Sequence, residues 1–218
     1  MNPAQLINQS SGNTEYYTPA PIIEAARATM GGIDLDPASS AIANQTVQAA
    51  HYFDATYDAL RRNVVWTGNV WMNHPFGRGE QPCNRRCKKK TCRHRGYHIT
   101  SELPGNDAWI NKLIHHYQTG DIKQACCITF ASTSEAWFAP LFAYPMCFLQ
   151  PRTNYHLPCG AQARGVTKGS VVTYLGPNLT RFAHHFTPLG AILIPYDSPH
   201  LGRIDTDFGL RVGRNQKT

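Results

Sequence analysis

No stretch of about 18 apolar residues occurs anywhere in the chain, and no charged leader with an apolar centre opens it. A membrane-spanning helix and a secretion signal are therefore not expected, and the protein is expected to be soluble and intracellular. Charged residues are sparse, 16% of 218 against 42% apolar. That balance excludes a disordered polyampholyte and points to one large folded domain with its own core. Seven cysteines is an odd number in a chain without an export signal, which argues against a disulfide framework and for metal binding or burial. Cys126, Cys127 and Cys147 lie in apolar runs and read as core residues. No internal repeat is found.

Acidic residues are nearly missing from one window. Between Arg78 and Arg95 stand eight of the 21 Lys and Arg but one of the 14 acids, a local balance of +7 that equals the formal charge of the whole protein. The remainder is neutral on balance, so the basic character is a patch, and a patch of this kind suits a polyanion. The same window holds Cys83, Cys87 and Cys92 in C-x3-C-x4-C spacing, followed by His94 and His98. Three thiolates and one imidazole satisfy a tetrahedral zinc ion, and basic neighbours favour the thiolate form. His98 is the preferred fourth ligand because Gly96 allows a turn, whereas His94 on an extended chain crowds Cys92; His94 stays open as the alternative. A segment this polar has no core to order it without a metal. With one, it carries Arg78, Arg85, Arg86, Lys88, Lys89, Lys90, Arg93 and Arg95 to the phosphates of a polyanionic partner. Arg152, Asn154 and Tyr155, in a later loop, are further candidates for the same partner.

Along the rest of the chain, apolar periodicity switches repeatedly between strand and helix. Residues 1–13 read as a flexible leader, 14–200 as the main domain with 78–103 as its basic insertion, and 201–218 as a tail. Thr18 is the expected N-cap of a helix over IIEAARATM, with proline at its first position and Gly31-Gly32 at its end. Ile33 to Asp36 form a short strand with carboxylates at its carboxyl end, a helix over ASSAIANQTVQAA follows, and His51 to Phe53 form another strand. Val64 to Met72 is a buried strand ending at Asn73. Asn106 to Thr119 is a helix, Ala125 to Phe130 a strand, Ser134 to Tyr144 a helix, and Met146 to Leu149 a strand. Ser170 to Leu175 and Ala191 to Pro195 are the last strands, with helix or loop between them. The expected fold is an α/β sheet with helices on both faces.

Asn73-His74-Pro75-Phe76 leaves the strand at its carboxyl end, where open α/β sheets bind ligands. Chemistry on an exocyclic amino group needs two acceptors and a flat apolar plate. Asn73 supplies a side-chain oxygen, residue 74 a carbonyl, Pro75 a fixed backbone and Phe76 a stacking face.

The ordered series EYYTPAPIIEAA, GGIDLDPASSAIAN, YFDATYDAL and VWMNHPFGR resembles the phage and prophage DNA N-6-adenine methyltransferase family over roughly residues 14–150. The resemblance implies a class I S-adenosylmethionine-dependent (Rossmann-like) methyltransferase fold, with a seven-stranded, mostly parallel sheet closed by a hairpin of SVVTYL and AILIP. It implies S-adenosylmethionine as cofactor, adenine N6 in DNA as target, and a phage or prophage origin. The family's catalytic motif is Asp or Asn, Pro, Pro, then Tyr or Phe. Asn73, Pro75 and Phe76 keep it and His74 departs from it, at a place used mainly through its carbonyl. By position, Thr18 and Pro19 match the segment touching the cofactor's methionine part, and Asp34, Asp36 and Pro37 fall in the first motif, whose glycine-rich form is missing. Asp36 is the residue expected at the cofactor's amino acid moiety, Asp58 at its adenine, and Asn73 is shared between cofactor and target. Two other readings stay open on the residues: a non-catalytic zinc-stapled DNA-binding protein, and a transferase acting on cytosine N4 or moving another group.

Overall fold

In the computed structural model, which describes residues 16–84, 86–157, 159–162 and 167–196, helix α1 (Ala20–Met30) leads into strand β1 (Leu35–Asp36), α2 (Ala41–Val47) and β2 (His51–Tyr52). Next come β3 (Gly68–Met72), α3 (Lys90–Arg95), α4 (Asn106–Gln118) and β4 (Ile122–Phe130). A 3-10 turn (Ala139–Ala143) precedes β5 (Met146–Leu149), β6 (Ser170–Leu175), α5 (Leu179–Phe186) and β7 (Gly190–Leu193). The leader, the tail and Arg85 lie outside the described residues.

The seven strands form one sheet in the order β2-β1-β3-β4-β6-β5-β7. The first four are joined by parallel pairings and the last three by antiparallel ones, so the sheet is mixed, parallel over its first half and antiparallel over its second. The expected hairpin of the last two strands is corrected, because β5 lies between them, with Cys147 opposite both Val172 of β6 and Ile192 of β7. The reason is α5. Its Phe182 stacks on Tyr174 at 5.1 Å between ring centroids, and Phe182 and Phe186 are buried in the same core cluster as α1. A helix packed there carries the chain past β6 to the outer edge of β5.

Alternate residues of the central strands feed two cores, as expected for strands covered on both sides. Trp71, Cys126, Ile128, Val172 and Tyr174 face α1 and α5. Val70, Met72, Ala125, Cys127 and Val171 face α4 and the 3-10 turn. The three core cysteines are fully buried and free, as their apolar surroundings suggested.

Local corrections have local causes. Residues 134–144 are not an α-helix, because Pro140 removes a donor inside the run and the chain makes only a 3-10 turn there. Residues 64–67 precede β3 rather than belong to it. Gly68 has φ +76°, and a Cβ on it would stand 2.4 Å from an Asp34 carboxylate oxygen, so the chain must turn there before the strand begins. Helix α1 is capped by Pro19 in extended conformation, with no side-chain cap. Thr18 therefore is not the N-cap.

Candidate active site and metal centre

From β1 the chain moves outward to β2 and then returns to β3 on the other side of β1. The crevice at such a reversal, beyond the carboxyl ends of the strands, is where open α/β sheets hold ligands. Here it is a cleft of ≈ 310 Å³. Asp36 ends β1 and Asn73 follows β3, and the two strands run parallel with Leu35 opposite Val70. Both side chains thus reach the same cleft.

Of the residues singled out in the sequence, Thr18, Asp36, Pro37, Asp58, Asn73 and Pro75 line this cleft. Pro19, Asp34, His74 and Phe76 do not. Asp34 stands at the opposite end of the strands, where its carboxylate accepts the Asn69 amide at 2.7 Å. Asp34 and Asp36 lie two residues apart, and their roles divide at that point: one caps the start of β3, the other enters the cleft.

Asp36 is 2% exposed and accepts the Ala38 amide at 3.1 Å. Burial pushes its carboxyl up to about 7, against the lowering effect of that amide. Thr18, Ser39 and Trp109 also line the cleft; the Ser39 side chain is a hydrogen-bond partner of the Asp36 carboxyl, whereas Thr18 Oγ1 and Trp109 Nε1 are buried with no hydrogen-bond partner among the described residues. Buried polar atoms of this kind are rare unless something else satisfies them. Sequence reading did not find Phe53 and Tyr57, which stack at 4.5 Å and 20° on the cleft wall beside Asp58. Their aromatic spacing in YFDATY was the available signal.

The tetrapeptide is held from several sides. Asn73 Nδ2 donates to the Tyr16 carbonyl at 2.7 Å, which leaves Oδ1 as the free acceptor end of the amide. His74 is 2% exposed and turns away from the cleft, stacking on Trp109 at 6.0 Å. Burial holds its imidazole down at about 4, so it is neutral at physiological pH despite a hydrogen bond with Asn106 that favours the charged form. The Phe76 ring packs on Phe130 at 4.5 Å and against His74 and Tyr155. It is half-buried beside the cleft, not an open plate on its wall. Tyr155, which the sequence offered as a residue for DNA, is buried and shares a hydrogen bond with Ser170 at 2.9 Å.

The insertion gathers Cys83, Cys87, Cys92 and His98 so that one ligand atom from each lies within 4.8 Å of the others. Cys83 and Cys87 sulfurs stand 3.3 and 3.6 Å from that of Cys92, near the edge of about 3.8 Å that a tetrahedron with metal–sulfur bonds of about 2.3 Å requires. The four side chains can hold a metal ion. The chain after Cys92 is not extended but helical, and α3 ends at Gly96 with φ +81°. That turn brings His98 back to the sulfurs, while His94 is not among the gathered ligands. A backbone amide at Lys89 brings the Cys87 thiol down to about 7, whereas desolvation raises that of Cys92 to about 11. A cation would replace the proton on each.

Arg78, Arg86, Lys88 and Lys90 are exposed on this insertion. Lys89 and Arg93 are also exposed but are used internally: Lys89 Nζ donates to the Gln81 carbonyl at 3.0 Å and stands 3.5 Å from Glu80, and Arg93 donates to the Lys88 carbonyl. Arg95 is the last residue of α3. Among the described residues, no helix is long and apolar enough to cross a membrane.

The fold and these two sites define an α/β domain with a cleft at its topological switch point and, in a basic insertion, a Cys3His cluster that can hold a metal ion. Set against protein-family models, curated proteins and solved structures, the chain matches none.

Proposed function

We propose that the protein is an S-adenosylmethionine-dependent DNA methyltransferase acting on adenine N6, with a class I methyltransferase domain and a zinc-stapled insertion that grips DNA. The observation that carries this reading is the convergence of Thr18, Asp36, Asp58 and Asn73 on one cleft. The sequence resemblance names these four residues from separate segments. The donor set suits the cofactor. Asp36 is a buried carboxylate suited to an ammonium group, Thr18 and Trp109 offer unmet polar atoms, and Phe53 and Tyr57 offer aromatic faces beside Asp58.

When bound, the cofactor supplies an electrophilic methyl group on a sulfonium. The chain's own residues orient the nucleophile. A base inside a duplex is out of reach, so it is taken out of the stack first. Asn73 Oδ1 and the carbonyl of residue 74 would accept hydrogen bonds from the two N–H groups of the amino nitrogen, drawing it toward a tetrahedral geometry in which its lone pair is available as nucleophile. The tie to Tyr16 fixes which end of the Asn73 amide faces the base. His74 is compatible with this role because only its carbonyl is called on. The metal, read as zinc from its three thiolates and imidazole, stiffens the insertion that presents Arg86, Lys88 and Lys90 to phosphates.

Mass spectrometry of nucleosides from DNA of cells expressing the protein tests the reading. N6-methyladenine is expected, and an Asn73→Ala control should lack it. Cytosine carrying the methyl, or no modified nucleoside, would replace it with one of the alternatives.

Asp36 gives a test that needs no DNA. Its folded pKa is raised above its ordinary value of 3.8 to about 7. The stability it contributes is therefore fully present below pH 4 and lost as pH rises through 7. Without ligand, Asp36→Asn should melt higher than wild type at pH 8, and the gap should shrink toward pH 5. S-adenosylmethionine should raise the wild-type Tm with increasing concentration, and much less so for the variant. A Tm gap that does not change with pH would show that the carboxyl is not titrating in this window.

A further inference from the structure

We infer that Asn106 is a positioning residue for the methyl transfer proposed above, and that His74 stands in the motif as the handle by which Asn106 holds it. This inference rests on that proposed reaction.

Asn106 is the first residue of α4, and it brackets the segment that follows Asn73. Its Oδ1 receives the Gly77 amide at 3.2 Å and meets His74 Nε2 at 3.0 Å, while its own backbone amide donates to the Gly77 carbonyl at 3.0 Å. The backbone amide of Gly77 can only donate, so the Asn106 atom it meets is the oxygen and the orientation of the side-chain amide is fixed. An oxygen acceptor requires the hydrogen on His74 Nε2. The ring is therefore the Nε2–H tautomer, and Nδ1, buried with no partner among the described residues, is the bare nitrogen. Stacking on Trp109, also of α4, fixes the plane of the ring.

The carbonyl of residue 74 lies between these anchors, so its direction follows from them. A proline at 74 has no ring donor and could not be held this way. The departure from the motif thus adds a hydrogen bond instead of removing a function. Asn106 is itself held in place. Glu80 and Leu103 exchange two backbone hydrogen bonds of 2.9 Å at the neck of the insertion. Gly79 and Gly105 meet so closely there that a Cβ on Gly105 would lie 2.4 Å from the Gly79 nitrogen. The neck delivers Asn106 to the tetrapeptide at one fixed distance.

Three measurements on the full-length, metal-loaded protein test this. Asn106→Ala should lower kcat on the order of 10- to 100-fold, as misplacement of a reacting group by about 1 Å does. The affinities for S-adenosylmethionine and for DNA should stay within about threefold, because Asn106 touches neither. In a His74→Pro background the same substitution should cost much less, since coupled residues fail to add. Nitrogen-15 NMR of wild type should show a neutral His74 protonated at Nε2, and a lowered kcat with unchanged affinities and unchanged Tm is the result that a merely structural Asn106 would not give. A wild type protonated at Nδ1, an unchanged kcat in Asn106→Ala, or full additivity with His74→Pro would each overturn the inference while leaving the enzyme standing. A wild type that transfers no methyl group would overturn the proposed function, and the positioning role with it.

Discussion

Asn73→Ala is expected to lower kcat for methyl transfer on the order of 100-fold or more, the loss typical of one preorganised donor or acceptor at a reacting centre. The fold should survive, because Asn73 is half-buried at a strand end and its side-chain amide donates to the Tyr16 carbonyl of the preceding segment. DNA affinity should change little, since the exposed Lys and Arg side chains proposed to meet phosphates sit on the insertion. The informative comparison is Phe76→Ala. The Phe76 ring is packed among Phe130, His74 and Tyr155, so its loss should reduce both turnover and Tm, whereas Asn73→Ala should reduce turnover alone. Steady-state kinetics with scanning calorimetry on both variants separates the two effects. Normal turnover in folded Asn73→Ala would remove Asn73 from the chemistry.

Removing the metal should disorder the insertion without melting the sheet. Purified protein is expected to carry about one zinc per chain, held by Cys83, Cys87, Cys92 and His98. Metal binding to a small site of this kind is worth on the order of 10 kcal/mol and is folding free energy for the segment that supplies the ligands. Cys92 is the one ligand that is buried. The sheet keeps two apolar clusters of its own on either face. After chelation, DNA affinity should fall together with the steepness of its salt dependence, because that slope counts phosphates neutralised. Cofactor affinity should change little. Lys88→Ala with Lys90→Ala should reproduce part of the defect with zinc still bound, lowering the slope by up to about 0.9 for each phosphate no longer neutralised. Lys89 is a poorer choice, since its ammonium also ties Gln81 and Glu80 together within the insertion. Elemental analysis that finds no metal, or a slope indifferent to both lysines, would reduce the insertion to a solvated loop.

Sequence alone determined what depends on neighbours along the chain. The basic window, the three cysteines and the turn at Gly96 lie within 21 residues from Arg78 to His98, so a compact cluster was legible from spacing. Strands such as Ser170–Leu175 and helices such as Asn106–Gln118 follow from the period of their apolar residues, which reports the face each element buries. The position of Asn73 at a strand end followed in the same way. Only the tertiary structure decided what depends on which strands pair. Parallel pairing of β1 with β3 sends Asp36 into the cleft and leaves Asp34 at the far end. The chain's reversal around β1 brings Thr18 and Asp58 to Asn73. Packing of α4 against the second core turns His74 inward and brings Asn106 under the tetrapeptide. The path of α5 separates β6 from β7. Local periodicity is set within a few residues by backbone sterics and side-chain burial, whereas these meetings are contacts between residues tens of positions apart. Many pairings are compatible with the same local pattern, and the choice among them is made by the packing of the whole core.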